Sequence, residues 1–516
     1  MRARKLLLCA MTAAMTLAAS AQSYDVDIQF TPSKNYKAWK KGEPLHIVRV
    51  CHETVLPSSG NSSMAVAKEV YNFYEEGSST PHPVEGKFGD VMRCDSRDVQ
   101  AVWDAAIMSN VLPMLGRKGY QNALRQELDD DAKDFIMRLN ADGRRFIDPM
   151  LESYIYGVLA KVKPRQLIDG RTGDLNIQIV NDETPNAFTF ANGTIVLTTG
   201  LLATLHTEDE LAAILTREAA HYILDHSVAN VNAAIRRQKR AEFWAALATT
   251  AVATGEAIAS EKNEDYIPGL ATLATSIISA SVAESYLREQ GIRYNNAQES
   301  EADNMALLIL PAAGYDRDAL VTALSRLQRL YKADRRKPAY FPTYNDVQLA
   351  DRLSTLGTPY ARTDTRYEKM ISFAVCSAAM RMIQLGKFSQ SLDMANQNIR
   401  NGVATADDYI VRANALLALN ADTASVSDAI DALQMAKVRR PMGMDHYRPQ
   451  VAALLRIGRT ADALGVLADY KAALEESRRQ LATLQGEHVW QATYSFINDE
   501  TQWVEDMIVK LGPINY

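Results

Sequence analysis

The stretch TREAAHYILDH, residues 216–226, contains a glutamate and a histidine at a spacing used by zinc sites on helices. In the His-Glu-x-x-His pattern, two histidines lie on one helix face and bind zinc, and the glutamate takes a proton from zinc-bound water. Here Arg217 stands at the first histidine position, followed by Glu218 and His221. Arginine has no lone pair and keeps its positive charge, so Arg217 cannot be a metal ligand. The pattern alone is a weak signal, because many helices contain Glu-x-x-His by chance.

The segments around residue 217 predict a helix beside a small sheet. LNIQIVND alternates as a strand, and GTIVLTTGLL predicts a second strand that runs into a helix. EDELAAILTREAAHYILDH begins with acidic residues, which helix N-termini favour. NAQESEADNMALLILPAAGYD predicts a later helix with an apolar stripe, ended by Pro311 and Gly314.

The order of several motifs resembles one family: NAFTFANG at 186–193, TIVLTTGLL, REAAH, ESEAD at 299–303, and AGYD. This family is the HtpX-like and CAAX-prenyl-endopeptidase-like zinc metallopeptidases. The domain order is similar to that of its exported BepA-like branch, which carries C-terminal tetratricopeptide repeats. The resemblance covers roughly residues 120–358 and implies an α+β, mostly helical fold. We expect a zincin-like domain with a small sheet and an active-site helix, followed by an α-helical repeat domain.

The resemblance implies a role for each matching residue. Positions 217 and 221 would bind zinc, Glu218 would be the general base, and Glu299 would be the third ligand. Asp303 would support a ligand histidine by a hydrogen bond. The strand GTIVLTTGLL would lie beside the active-site helix and pair with an extended peptide.

Arg217 removes one of three protein ligands, which should weaken zinc binding by orders of magnitude. We expect its guanidinium to bridge Glu218 or Glu299, replacing the charge of zinc and preserving the fold.

The segment FPTYNDVQLADRLSTLG is a second departure from the family pattern. Pro342 and Arg352 match the family there, but the histidine that often precedes the proline is absent.

A rebuilt ligand set is the alternative to a lost metal site. Asp225 lies one helical turn after His221, so His221, Asp225 and Glu299 are one conceivable set. His226 is predicted to be rotated away from that helix face. His206 precedes the helix, and the chain would have to fold back to bring it near. Zinc is therefore expected only if the site is functional.

The chain of 516 residues is too long for one compact core. We predict a signal peptide at 1–21, an N-terminal region of unclear fold at 22–119, a metallopeptidase-like domain at 120–358 with a helical hairpin inserted at 243–287, and helical tetratricopeptide-like repeats at 367–516. Residues 22 to about 115 have turn-rich islands between short helical stretches. In the last region, Leu392, Ile430 and Leu464 recur near the tetratricopeptide period of about 34 residues. An unrelated helical bundle is the alternative.

The first residues predict export. They carry a basic start, an apolar run from Leu6 and a small-x-small site at 19–21, as a cleaved signal peptide does. A lipid anchor at Cys9 is not expected, because Leu8 is bulky, and we expect a periplasmic location.

Cleavage moves the formal charge from −6 to about −9, which argues against nucleic acid as a partner. A disulfide between Cys51 and Cys94 is plausible, with free thiols as the alternative.

Two apolar segments, FWAALATTAVATGEAIAS and YIPGLATLATSIISASVA, form the inserted hairpin. Both are near the short limit for crossing a bilayer, and Glu256 interrupts the first. We expect a hairpin that packs on protein or contacts a membrane surface through 243–283.

Three functions fit these observations. The first is a pseudoprotease of envelope protein quality control, which binds extended peptides or misfolded proteins, and protein partners, through the strand edge and the repeats without cutting them. The second is an active zinc endopeptidase with a rebuilt ligand set. The third is a structural scaffold, which a covered groove beside residues 194–200 would favour.

Overall fold

The structure, a computed structural model, describes residues 22–30, 32, 35, 37–55, 68–85, 98–110, 120–165, 174–234, 237, 294–333, 346–420, 422–483 and 490–512. Helices dominate these residues, and two small sheets accompany them. One sheet lies near the N-terminus and the other beside the helix that carries Arg217. The predicted class is confirmed: the chain is α+β and mostly helical, with small sheets followed by a helical region.

The N-terminal sheet has antiparallel strands in the order β1–β2–β3–β4. They are β1 (Gln22–Phe30), β2 (Leu45–Val55), β3 (Lys68–Glu75) and β4 (His82–Glu85). The prediction of short helical stretches is therefore wrong here. The sequences LHIVRVCHETV and KEVYNFYE are rich in β-branched and aromatic residues, which pack well on a pleated surface. Ile47, Val50 and Phe73 are fully buried.

The second sheet consists of β5 (Asn176–Val180), β6 (Ala187–Thr189) and β7 (Thr194–Thr198). Its order is β5–β7–β6, with β5 parallel and β6 antiparallel to β7. All five residues of β7 are buried, and both of its edges are paired. The expectation that β7 pairs with an extended peptide is therefore wrong. The outer edge nearest the helix with Arg217 belongs to β6.

The metallopeptidase-like region contains α1 (Val99–Asn110), α2 (Tyr120–Ala141), α3 (Pro149–Val162), α4 (Thr199–Thr204), α5 (Glu208–Ile223), α6 (Asn296–Ala312), α7 (Ala319–Ala333) and α8 (Asp346–Leu356), and residues 226–234 are also helical. Helix α5 lies at the centre, because α3, α6 and α7 all contact it. Thr207 caps its N-terminus by accepting the Glu210 N–H at 3.1 Å. The helix ends at Ile223, and Asp225 has a positive φ of 63°. This break fixes where the side chains after His221 point.

Gly200 at the start of α4 has no room for a side chain. A Cβ atom at this position would lie 2.2 Å from the Glu183 carbonyl oxygen, and the Gly200 N–H donates to the Asp182 carbonyl at 2.8 Å. We expect Gly200→Ala to lower the free energy of unfolding by about 1–3 kcal/mol, because backbone must shift to admit the methyl group. Gly157→Ala is the matched control, since nothing lies within 4 Å of its Cβ position. Equal unfolding midpoints in urea for the two variants would contradict the prediction.

The C-terminal region consists of α9 (Thr365–Gln384), α10 (Phe388–Arg400), α11 (Ala406–Leu419), α12 (Thr423–Arg439), α13 (Tyr447–Arg456), α14 (Thr460–Thr483) and α15 (Trp490–Leu511). Each helix contacts the next one along the chain. Leu392, Ile430 and Leu464 all lie in the second helix of a pair. Gly386 and Gly458, with φ of 72° and 75°, form equivalent turns in the first and third pairs. This arrangement suits helix-pair repeats, and their assignment as tetratricopeptide repeats stays a prediction.

Helix α9 also belongs to the core of the preceding domain. Tyr367 is fully buried, and its hydroxyl donates to the Leu202 carbonyl of α4 at 2.9 Å. Ile371 and Val375 belong to the same apolar cluster as the core-facing residues of α5. The first helix of the C-terminal region and the metallopeptidase-like domain therefore share one hydrophobic core.

Several predictions fall on residues outside the described ranges. These are the signal peptide at 1–21, the hairpin at 243–287 and Cys94. Cys51 carries a free thiol in the structure, which fits the alternative of unpaired cysteines at that position. Within the described part of the chain, no helix is both long and apolar enough to span a membrane.

Candidate active site

Helix α5 carries three polar side chains into the protein interior. Arg217, Glu218 and His221 are 2%, 4% and 1% exposed. A charged group in such a position is stable only when opposite charges or hydrogen-bonding groups surround it. The partners of these three side chains therefore determine what the site can do.

Arg217 pairs with two carboxylates on α6. Its Nε donates to Asp303 Oδ1 at 2.8 Å, and its Nη2 donates to Glu299 Oε2. Glu299 and Asp303 are 4% and 2% exposed. The structure thus places Arg217 against Glu299, one of the two partners expected from the sequence. Asp303, expected to support a ligand histidine, binds the arginine at that histidine's position instead.

A second arginine completes the arrangement. Arg352 on α8 donates to Asp303 through Nε at 2.8 Å and Nη2 at 2.9 Å, and its Nη1 lies 3.2 Å from Glu299 Oε2. We call Arg217, Glu299, Asp303 and Arg352 the ion-pair cluster. Two positive and two negative charges balance within it, so that no net charge is buried. Removing one member of such a set costs far more than the set contributes as a whole.

Glu218, the general-base position, faces the sheet. Its Oε2 accepts a hydrogen bond from the Thr189 hydroxyl of β6 at 2.9 Å. Burial raises the pKa of Glu218 to about 7, although the charge of Arg217 and the Thr189 hydroxyl act in the opposite direction. A carboxyl group of this kind could exchange a proton near neutral pH. It would still need an activated nucleophile to cleave a peptide bond.

His221 is held between an aromatic ring and a second histidine. The Tyr294 ring stacks on its imidazole, with centroids 3.6 Å apart and planes 9° from parallel. His221 Nδ1 lies 2.8 Å from His226 Nδ1, and His226 Nε2 lies 3.1 Å from Glu301 Oε2. Burial, followed by the nearby His226 and Arg217, lowers the pKa of His221 well below its usual value, so His221 is neutral.

These contacts assign the ring protons. With His226 Nε2–H donating to Glu301, His226 Nδ1 accepts and His221 donates from Nδ1. His221 then keeps a lone pair at Nε2, the form of imidazole that can bind a metal ion or accept a proton.

The structure corrects two predictions about rescue ligands. Asp225 does not continue the helical face of His221, because α5 ends at Ile223. Its carboxylate accepts a hydrogen bond from Arg125 Nη2 at 2.5 Å. His226 is not rotated away: the break in the helix turns its ring back onto His221.

His206 takes no part in the site. Its N–H donates to Glu210 Oε2 at 3.1 Å, and its side chain lines a separate cavity beside α9 and α10. Across the ranges that the structure describes, no three His, Cys, Asp or Glu side chains converge in a way that could hold a metal ion.

Thr189 and Tyr294 complete the site and were not identified from the sequence. Asn186 and Phe190, which flank β6, make backbone hydrogen bonds with Thr198 and Thr194. In an antiparallel pair the residues next to them, Ala187 and Thr189, therefore direct their backbone groups outward. The Tyr294 hydroxyl donates to the outward carbonyl of Thr189 at 3.3 Å. Thr189 lies in the quoted NAFTFANG motif, and Tyr294 directly precedes Asn295, which caps α6. Tyr294 thus covers part of the edge where a peptide strand could pair.

The side chains present do not fit a zinc ion. His221 Nε2 and Glu299 are the remaining donors at positions that resemble zinc ligands. The third position carries a guanidinium, and that guanidinium already binds Glu299. No reaction step at this site is therefore assigned to zinc.

The helix α5, the mixed sheet beside it and the later carboxylate helix α6 define a metallopeptidase-type domain. Residues 167–365 match the family described as Peptidase family M48, and we call this matched part of the chain the M48 domain. The predicted family resemblance is confirmed. Peptidases of this family depend on zinc, so the Arg217 position is a departure within the family.

Three similar proteins have names that describe proteases, and two of them are beta-barrel assembly-enhancing proteases. A Putative beta-barrel assembly-enhancing protease of Vibrio cholerae is 27% identical over 41% of this chain and 40% of its own length. The Beta-barrel assembly-enhancing protease of Escherichia coli K12 is 23% identical over 42% and 41%. The Mitochondrial metalloendopeptidase OMA1 of Schizosaccharomyces pombe is 26% identical over 39% and 55%. The chain thus spans about half or less of the length of these relatives.

Proposed function

We propose that this protein is exported and holds client polypeptides in envelope protein quality control without zinc-dependent cleavage. One observation carries the proposal: the Arg217 guanidinium is buried between Glu299 and Asp303 where the family has its first zinc-binding histidine. The bacterial relatives named as beta-barrel assembly-enhancing proteases support the setting. A periplasmic location and unfolded or misfolded protein clients belong to the same proposal.

The chemistry of the site supports binding over cleavage. The cluster's charges are satisfied internally, so the fold does not need a metal ion to neutralise Glu299. Without metal-activated water, Glu218 has no potent nucleophile to deprotonate. An extended client can still pair with the outer edge of β6 or lie on the helix pairs, because neither mode of binding needs zinc. Membrane contact through residues 243–283 belongs to the same proposal.

An active zinc endopeptidase is the second candidate. The observation in its favour is that Glu218 and His221 are retained in a buried site, with His221 Nε2 able to act as a ligand. A third ligand would then have to come from a rearrangement of the ion-pair cluster. A purely structural scaffold gains some support from the fully paired β7, but the outer edge of β6 keeps a binding role open.

Metal content and cleavage, measured together, test the proposal. Mass spectrometry on the purified exported chain should give no stoichiometric zinc, and the Arg217→His variant should give about one zinc per chain. Reduced, carboxymethylated α-lactalbumin, an unfolded protein probe, should bind to the native chain and remain uncut over hours. One zinc per native chain, together with cleavage that Glu218→Gln stops, would establish the endopeptidase instead. If the chain neither bound nor cleaved α-lactalbumin, a structural scaffold would be the remaining candidate function.

A further inference from the structure

A cavity of about 580 Å³ lies between the M48 domain and the first helix pair. Residues from both sides line it, including Ala203 and Leu330 from the M48 domain and Met382 and Met394 from α9 and α10. This volume falls within the usual range of ligand pockets. It is separate from the ion-pair cluster, none of whose residues lines it.

Three charged groups in the cavity wall, Glu183, Arg326 and Lys387, are already paired, and Asp393, which also lines it, is exposed. Glu183 lies 3.4 Å from Lys387 Nζ, and Arg326 Nε lies 3.0 Å from Glu210. Arg329 and Arg400 also line the cavity, but both side chains are exposed and well hydrated. These groups give the cavity no buried charge that lacks compensation.

Glu368 is the exception. It lines the cavity from the first turn of α9, is 8% exposed, and its carboxylate has no hydrogen-bond or ion-pair partner among the described residues. Burial, and then the nearby Asp364, raise the pKa of this carboxyl group. The cavity gives this carboxylate access to solvent but no group of the described part of the chain that compensates its charge, and a cation in the cavity would supply that compensation.

We propose that this cavity binds a lysine or arginine side chain of an extended client segment, with the Glu368 carboxylate accepting its N–H groups. The inference rests on the proposed client-binding function and names the chemistry that the client must carry. A cationic head would satisfy Glu368, and its aliphatic stem would pack along Met382, Met394 and Leu330. The exposed Arg329 and Arg400 suit carbonyl or acidic groups that flank the cation in a polypeptide, and they disfavour a small free cation.

Two labelled peptides test the inference by fluorescence anisotropy. One is a nine-residue leucine–serine peptide with a central lysine, and the other is its twin with norleucine, which keeps the stem and lacks the charge. The native chain should bind the lysine peptide at least about tenfold more tightly. Glu368→Gln should abolish that preference, whereas Glu475→Gln, the same change at an exposed position on α14, should preserve it.

Thermal unfolding supplies the second measurement. Glu368→Gln should unfold at the same temperature as the native chain or a higher one, because it removes a charge that the cavity wall does not compensate. A lower unfolding temperature would show a structural role and overturn the inference, as would equal binding of the two peptides or a preference that survives in Glu368→Gln. Binding of neither peptide also overturns it. In that case, binding of unfolded α-lactalbumin to the same preparation is measured by titration. This measurement tests the proposed client-binding function separately from the inference about the cavity.

Discussion

Asp303→Ala is expected to lower the free energy of unfolding by about 3–5 kcal/mol, because the variant buries Arg217 and Arg352 with Glu299 as their one remaining carboxylate in the cluster. Asp303 accepts one hydrogen bond from Arg217 and two from Arg352, so it connects the two arginines more closely than Glu299 does. Urea unfolding followed by circular dichroism measures the loss. The slope of the transition must be compared as well, since a chain with two domains need not unfold in one step.

The matched control is Asp431→Ala on α12, where the carboxylate is exposed. A surface substitution of this kind should change the free energy of unfolding by about 0.5 kcal/mol or less. If both variants lost the same small amount, the cluster would not be a buried electrostatic unit, and the account of how Arg217 replaces zinc would be wrong.

Arg217→His should make stability depend on zinc. Without metal the variant should lose about 3–5 kcal/mol, because Glu299 and Asp303 then share Arg352 alone. Positions 217 and 221 lie one turn apart on α5, so the two histidines and Glu299 would form a three-ligand set. Free zinc at about 1,000 times its dissociation constant should then restore about 4 kcal/mol. Calorimetry with zinc and with a chelator measures both changes.

The native chain provides the comparison for this experiment. Its unfolding temperature should be the same in zinc and in chelator, because its cluster already neutralises both carboxylates. A rise with zinc in the native chain that equals the rise in the variant would mean that other residues bind the metal. In that outcome the cluster must open in solution, and the endopeptidase reading would gain support.

The sequence was sufficient to predict the M48 domain and the approach of Arg217 to Glu299, because both residues stand at motif positions whose places in the fold the resemblance supplies. The sequence did not predict that Arg352 joins the ion-pair cluster. Arg352 matched the family, but its place in the cluster depends on how α8 packs against elements that are distant in the chain. The strand edge was assigned to β7 instead of β6. A strand such as TIVLT, with apolar residues on both faces, is typical of a central strand. The sequence itself could therefore have indicated that β7 is not at the edge of the sheet.

The errors at the end of α5 have a different cause. The face assigned to Asp225 and the orientation of His226 both assumed that the helix continues past Ile223. A left-handed residue ends it instead, and that residue is Asp225, where glycine or asparagine is the usual signal. The sequence contains no strong stop at this point. The contact between His221 and His226 therefore had to come from the structure.

Helix α9 has a consequence for how the two domains move. The M48 match ends at residue 365, where this helix begins, yet Tyr367, Ile371 and Val375 complete the core around α5. Contact with α9 therefore anchors the C-terminal helices, so that they do not swing as an independent arm. A client held by the helices would keep a fixed distance and direction relative to β6 and the ion-pair cluster. The molecule would therefore hold one stretch of a client in a fixed position next to β6 and the ion-pair cluster.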